Sequence, residues 1–210
     1  MTDARAFLSG EWKKLTKDCD ESLVDKLFDL LAVRYTENHR YYHNLSHLSA
    51  MLVSLNQMAI NQNDDNLRWA IFFHDAIYNP KRSDNELKSA ELASLFLHQL
   101  NYPETTIILV EKMIMQTVHQ FNTAENTDDF TKLLIDLDLQ ILGATNNEYL
   151  MYADAIRKEY SFVPTYIFKR KRKAFLKKML SKTRIYRTEY FYEHFEEVAR
   201  KNIISEIQSY

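Results

Sequence analysis

Glycine and proline are nearly missing from this chain: two glycines, Gly10 and Gly143, and three prolines serve 210 residues. Sheets joined by tight turns need many such residues, so the scarcity argues against strand-rich architectures and for long helices. The single cysteine, Cys19, excludes an internal disulfide and fits a reducing compartment. No apolar run comes near the ~20 residues of a membrane-spanning helix. The opening Met-Thr-Asp-Ala-Arg lacks the apolar core of a signal peptide, so a cytoplasmic location is expected. A net charge of -2 sets up no global field toward membrane or nucleic acid. What is present is apolar material, 46% of the residues, enough for a sizeable core. The expectation is one all-α domain over 1–210 with eight to ten helices, those after about residue 145 packed on the rest.

Periodicity places the helices. Leu23, Val24, Leu27, Leu30 and Leu31 form the stripe of a helix capped by Asp20 and running to about residue 37. His43 and His47 follow, four apart, which on a helix puts them on one face, one turn apart. A short apolar helix over 67–73 leads to His74-Asp75, with Pro80 marking the loop beyond. Ser83 and Glu86 match a capping box for the next helix. Pro103 suits the first turn of a helix to about residue 118, ended by His119, with a polar surface loop over 122–129. The apolar run 130–143 holds Asp136 and Asp138, and Gly143 reads as its C-cap. Thr145 and Glu148 form a second capping box, and further helices start near Thr165 and Thr188. The run Lys169-Arg170-Lys171-Arg172-Lys173 reads as a solvated helix face with one inward arginine rather than a nucleic-acid patch.

The chemistry starts at 72–78, Phe-Phe-His74-Asp75-Ala-Ile-Tyr. A charged pair in an apolar run is costly unless it is partnered or bound to a metal. An aspartate in the apolar run 130–143 also needs a partner. Asp136 and Asp138 point about 160° apart on a helix, so one of them at most faces a given site squarely. Imidazoles and carboxylates from His43, His74, Asp75 and Asp138 would make a hard-to-borderline set suited to Mn²⁺, Ni²⁺, Co²⁺, Fe²⁺, Zn²⁺ or Mg²⁺. Without thiolates it does not read as a structural zinc site.

The ordered pattern His43…His74-Asp75…Asp138 resembles that of the HD-domain metal-dependent phosphohydrolases. Longer strings strengthen the likeness: Tyr42-His43-Asn44-Leu45-Ser46-His47-Leu48, Phe73-His74-Asp75-Ala76-Ile77-Tyr78, Asp84-Asn85-Glu86-Leu87-Lys88-Ser89-Ala90, Asp136-Leu137-Asp138-Leu139 through Gly143, Arg157-Lys158-Glu159-Tyr160 and Ala199-Arg200-Lys201-Asn202. Together they cover the chain from about residue 40 to 202. The resemblance implies an HD-like helical bundle holding one divalent ion or two. Carried over by position, it makes His43, His74, Asp75 and Asp138 the ligands. His47 becomes a group beside the ligands or facing the substrate.

The activity implied is hydrolysis of a phosphate ester of a nucleotide or another small molecule by metal-activated water. Asp75 would bind metal and accept a proton, and Asp84 or Glu86 would orient the nucleophile or protonate the leaving group. Arg157, Arg172, Lys81 and Arg82 are candidate phosphate partners, with Tyr42, Tyr78 and Tyr160 as candidate stacking surfaces. A di-iron oxygenase of the HD type and a non-catalytic nucleotide sensor are the alternative readings. Expected partners are a small phosphorylated substrate and a second copy in a homodimer, with neither a membrane nor a nucleic-acid polymer.

Overall fold

A computed structural model describes residues 2–58, 64–118 and 127–210. His119 and most of the polar stretch 122–129 lie outside the described residues. Among those described there are ten α-helices, one 3-10 turn and no strand, the all-α bundle that the composition predicts. None of these helices is long and apolar enough to cross a membrane. The chain forms two compact units, Met1–His119 and Gln120–Tyr210. No glycine- or proline-rich linker marks the boundary, which is why the sequence reads as one domain.

The first unit holds α1 (Thr2–Leu15), α2 (Glu21–Arg34), α3 (Leu45–Gln57), α4 (Asp65–Phe73), α5 (Asn85–Gln99) and α6 (Glu104–Thr117). Helix α4 is central, packed by α3, α5 and α6, while α1 covers α2 and α3. Its core is aromatic. Trp12 stands edge-on to Trp69 at 4.8 Å and to Phe72 at 5.2 Å, and Phe73 meets Phe96 at 5.4 Å. Helix α1 was not legible in the sequence, yet its Leu8 and Trp12 are fully buried.

Caps decide where the helices begin. Asp20 accepts from the Leu23 amide and starts α2 as expected. The Asn44 side chain accepts from the Ser46 amide and starts α3 at Leu45. His43 is therefore outside the helix, and the one-face arrangement with His47 does not form. The Ser83–Glu86 capping box is absent too: α5 begins at Asn85 with Asp84 at its cap position, making no side-chain cap bond. The reason is competition. The Asp84 carboxylate is held by Arg82, and Asn85 exchanges two bonds of 3.0 Å with the Asn79 backbone.

The second unit holds α7 (Asp129–Leu139), the 3-10 turn Gln140–Gly143, α8 (Asn146–Glu159), α9 (Thr165–Leu180) and α10 (Glu189–Gln208). The 3-10 turn is its hub, in contact with α7, α8 and α10. The Thr145–Glu148 capping box forms at the start of α8. Gly143 has no positive φ, so it is not the left-handed cap expected from the sequence. It is there for proximity. A Cβ on Gly143 would lie 2.7 Å from Phe195 Cβ and 2.9 Å from the Phe195 carbonyl oxygen. Backbone cannot yield as a flexible side-chain end does, so Gly143→Ala must push α10 away from the turn. A loss of about 1–3 kcal/mol is expected in urea denaturation, the usual cost of overpacking.

Candidate metal centre

Helix α4 ends at Phe73, with His74 as its C-cap. The helix therefore stops where the paired side chains begin, and His74 and Asp75 are aimed from a turn rather than from adjacent helical positions. His74 is 2% exposed. Its Nδ1 lies 2.9 Å from the Ile71 carbonyl. A carbonyl only accepts, so Nδ1 carries the proton and Nε2 is the ring nitrogen that can offer a lone pair to a metal. Such an Nδ1–H···O=C bond is the usual brace for a metal-ligating histidine.

Helix α3 brings His47, which is buried, to the same place. His47 Nε2 is 3.3 Å from His74 Nε2, and Asp75 Oδ2 is 3.3 Å from His74 Nε2. One ligand atom from each of His47, His74 and Asp75 lies within 4.8 Å of the others. Two imidazole nitrogens and a carboxylate oxygen at this spacing can hold a divalent cation. His43 stands further out. Its Nε2 is 4.0 Å from Asp75 Oδ2, and its ring stacks on Tyr78 at 4.2 Å. Of the two histidines in the 43–47 string, His47 thus supplies the converging nitrogen, whereas the sequence reading favours His43. The cause is Asn44, whose cap leaves His43 on the irregular segment before α3 and His47 in its first turn.

The backbone around the His-Asp turn is held by side chains from two directions. Tyr35 donates to the Phe72 carbonyl at 2.9 Å. Ser89, fully buried on α5, accepts from the Ile77 amide at 3.0 Å and donates to its carbonyl at 3.3 Å. His39 Nε2 meets the Tyr78 carbonyl at 2.7 Å. Arg40 donates to the carbonyls of Asp75 at 2.7 Å, Ala76 at 3.0 Å and His43 at 3.0 Å. Asn85 and Ser89, both in the 84–90 string that carried part of the resemblance, here brace the loop. Tyr35, His39 and Arg40 were missed as site residues, because a bond to a backbone carbonyl leaves no trace in residue spacing. The available signal was an arginine among tyrosines and histidines three positions before His43.

The other candidates fall in different surroundings. Arg82 holds Asp84, and its hydrogen bond keeps that carboxyl below the usual carboxylate range. An acid held low is a poor proton donor to a leaving group. Glu86 lies half-buried in the first turn of α5, and among the described residues no ion pair engages it. Asp136, Asp138, Arg157, Tyr160 and Arg172 belong to the second unit. Asp136 is fully buried and accepts from the amides of Arg187 and Thr188 and from the Thr188 hydroxyl. Burial raises its pKa, against the lowering effect of those bonds. It anchors the entry to α10, whereas Asp138, the other aspartate of α7, is half-buried.

Arg157 donates to the carbonyls of Tyr160 at 2.6 Å and Val163 at 3.0 Å and lies over the Phe168 ring, so it fastens the turn between α8 and α9. The Tyr160 ring stacks on Phe162 and lies tilted against Phe168. Arg172 is the inward arginine of the basic run, bonded to Glu206 at 2.9 Å and to the Tyr152 hydroxyl at 3.3 Å. Arg157 and Arg172 thus have structural partners inside their own unit.

No family model, no curated protein and no solved structure matches the chain. The class that the coordinates define is an all-α protein with a buried histidine–aspartate group able to hold a metal ion.

Proposed function

We propose that the protein is a metal-dependent phosphohydrolase acting on a phosphate ester of a nucleotide or another small molecule. The observation that carries the reading is the convergence of His47 Nε2, His74 Nε2 and Asp75 Oδ2 behind a protonated, carbonyl-bound His74 Nδ1. The resemblance to HD-domain phosphohydrolases supports it. The same resemblance favours His43 where the geometry favours His47. A divalent ion bound here would lower the pKa of a water and polarise a phosphoryl oxygen.

The chain's own groups divide the remaining work. Asp75 Oδ2 lies between His74 and His43, so it can bind metal and pass a proton to the His43 ring. Glu86 is the better candidate than Asp84 for orienting the nucleophile or donating to the leaving group, because Arg82 occupies Asp84. Lys81, exposed on the loop after the His-Asp turn, is the better candidate cation for a phosphate than Arg82, which holds Asp84.

The test is phosphate release from a panel of nucleotides and small phosphoesters, with Mn²⁺, Ni²⁺, Co²⁺, Mg²⁺ and Fe²⁺ in turn. Wild-type protein is expected to release phosphate with at least one metal, and His74→Ala is expected to release none. A folded, metal-loaded wild type that releases nothing from any combination overturns the reading. Oxygen consumption by an iron-loaded sample would replace it with an oxygenase.

A further inference from the structure

We infer that Arg40 is a positioning residue that sets the spacing of the metal ligands by gripping the backbone of the two segments that carry them. The inference rests on the metal reading above. The Arg40 side chain is fully buried, although a buried guanidinium is costly unless its donors are satisfied. Here Nε donates to Glu37 at 3.1 Å, which also balances the charge. Nη1 reaches both the His43 and Asp75 carbonyls, and Nη2 reaches Ala76. Its Cζ lies 4.9 Å from the centre of the Tyr35 ring and 5.5 Å from that of Tyr78.

The choice of acceptors is the informative part. The Asp75 carbonyl belongs to a ligand residue and the Ala76 carbonyl follows it. The His43 carbonyl precedes the Asn44 cap, from which α3 carries His47 inward. One rigid fork therefore ties the entry to α3 to the turn after α4. Tyr35, Ser89 and His39 hold the same turn independently, so attachment of the turn to the fold does not depend on Arg40 alone. What Arg40 adds is the distance between His47 on one side and His74 with Asp75 on the other. Lysine cannot reproduce this, because its ammonium is a point donor and three carbonyls on two edges need a planar one.

The experiment is Co²⁺ titration of the purified full chain, read by visible absorption, with the thermal melt of the metal-free protein measured in parallel. Wild type, Arg40→Lys, Arg40→Met and His74→Ala are compared at a temperature where each is folded. Arg40→Met and Arg40→Lys are expected to bind Co²⁺ about 10- to 100-fold more weakly, the usual effect of losing a brace behind a metal ligand. At saturation their absorption bands should shift, which general destabilisation would not cause. Folded Arg40 variants that match wild type in affinity and spectrum overturn the inference. Failure of both variants to fold overturns it as well, since the residue would then serve the fold and not the ligands. If wild type and His74→Ala bind Co²⁺ equally, the metal reading itself fails, a result distinct from either outcome at Arg40.

Discussion

His47→Ala is expected to lower divalent-metal affinity by about 100-fold or more, whereas His43→Ala should lower it by less than about tenfold. Loss of a residue that only braces a ligand costs 10- to 100-fold, so loss of the ligand atom belongs at or beyond the top of that range. The contrast follows from the positions of the two rings. His47 Nε2 faces His74 Nε2 at 3.3 Å, while His43 Nε2 lies 4.0 Å from Asp75 Oδ2. His43 is also half-buried and stacked on Tyr78, a setting that suits proton transfer or substrate contact. Its loss should therefore appear in turnover more than in metal content. Equilibrium dialysis with metal analysis, on variants shown to be folded, decides the point. The reverse pattern, with metal lost from His43→Ala and kept by His47→Ala, would return the ligand role to the residue that the sequence favours.

Arg172→Met is expected to cost about 3–5 kcal/mol at neutral pH, the penalty for leaving a buried charge without its partner. Glu206 loses two bonds from the guanidinium and keeps those from Tyr149 and Tyr210. Burial alone would raise the Glu206 pKa. In the intact network the bonds and charge of Arg172, with the two tyrosine hydroxyls, outweigh burial and hold it below its ordinary 4.5. A carboxyl lowered on folding contributes stability above its unfolded pKa and loses it as pH falls through the folded value. The wild-type second unit should therefore weaken in acid, below about pH 4.5. In Arg172→Met the lowering partner is gone, burial dominates, and the deficit should shrink as acid neutralises Glu206. Urea denaturation at neutral and acidic pH tests both statements. Arg172→Met combined with Glu206→Gln should recover most of the neutral-pH loss, and an equal deficit at both pH values would exclude the charge account.

Much of the fold was legible because helices announce themselves by period and cap. Asp20, Pro103 and the Thr145–Glu148 box start helices where the sequence places them. Errors arose where a side chain had a rival partner. Ser83 and Glu86 match a capping pattern, but Arg82 and Asn79 draw Asp84 and Asn85 into other bonds. Gly143 matches a cap, but its use is the close passage of Phe195, a contact across 52 positions (195 − 143) that no local window contains. The site divides in the same way. His74 and Asp75 stand out because charge in an apolar run is expensive. Arg157 and Arg172 also look functional by type, yet their donors close a turn and a buried pair. Arg40 escaped notice because its partners are carbonyl oxygens, which every residue has.

The aromatic core of the first unit has a practical consequence. The chain's two tryptophans, Trp12 and Trp69, are both fully buried there, in edge-to-face contact with each other. In the near ultraviolet the second unit absorbs through tyrosine and phenylalanine, with no tryptophan. Fluorescence excited selectively through indole is thus a reporter confined to one half of the molecule, while far-ultraviolet dichroism reads helices in both. Denaturation curves from the two probes should coincide if the halves melt together and separate if one melts before the other.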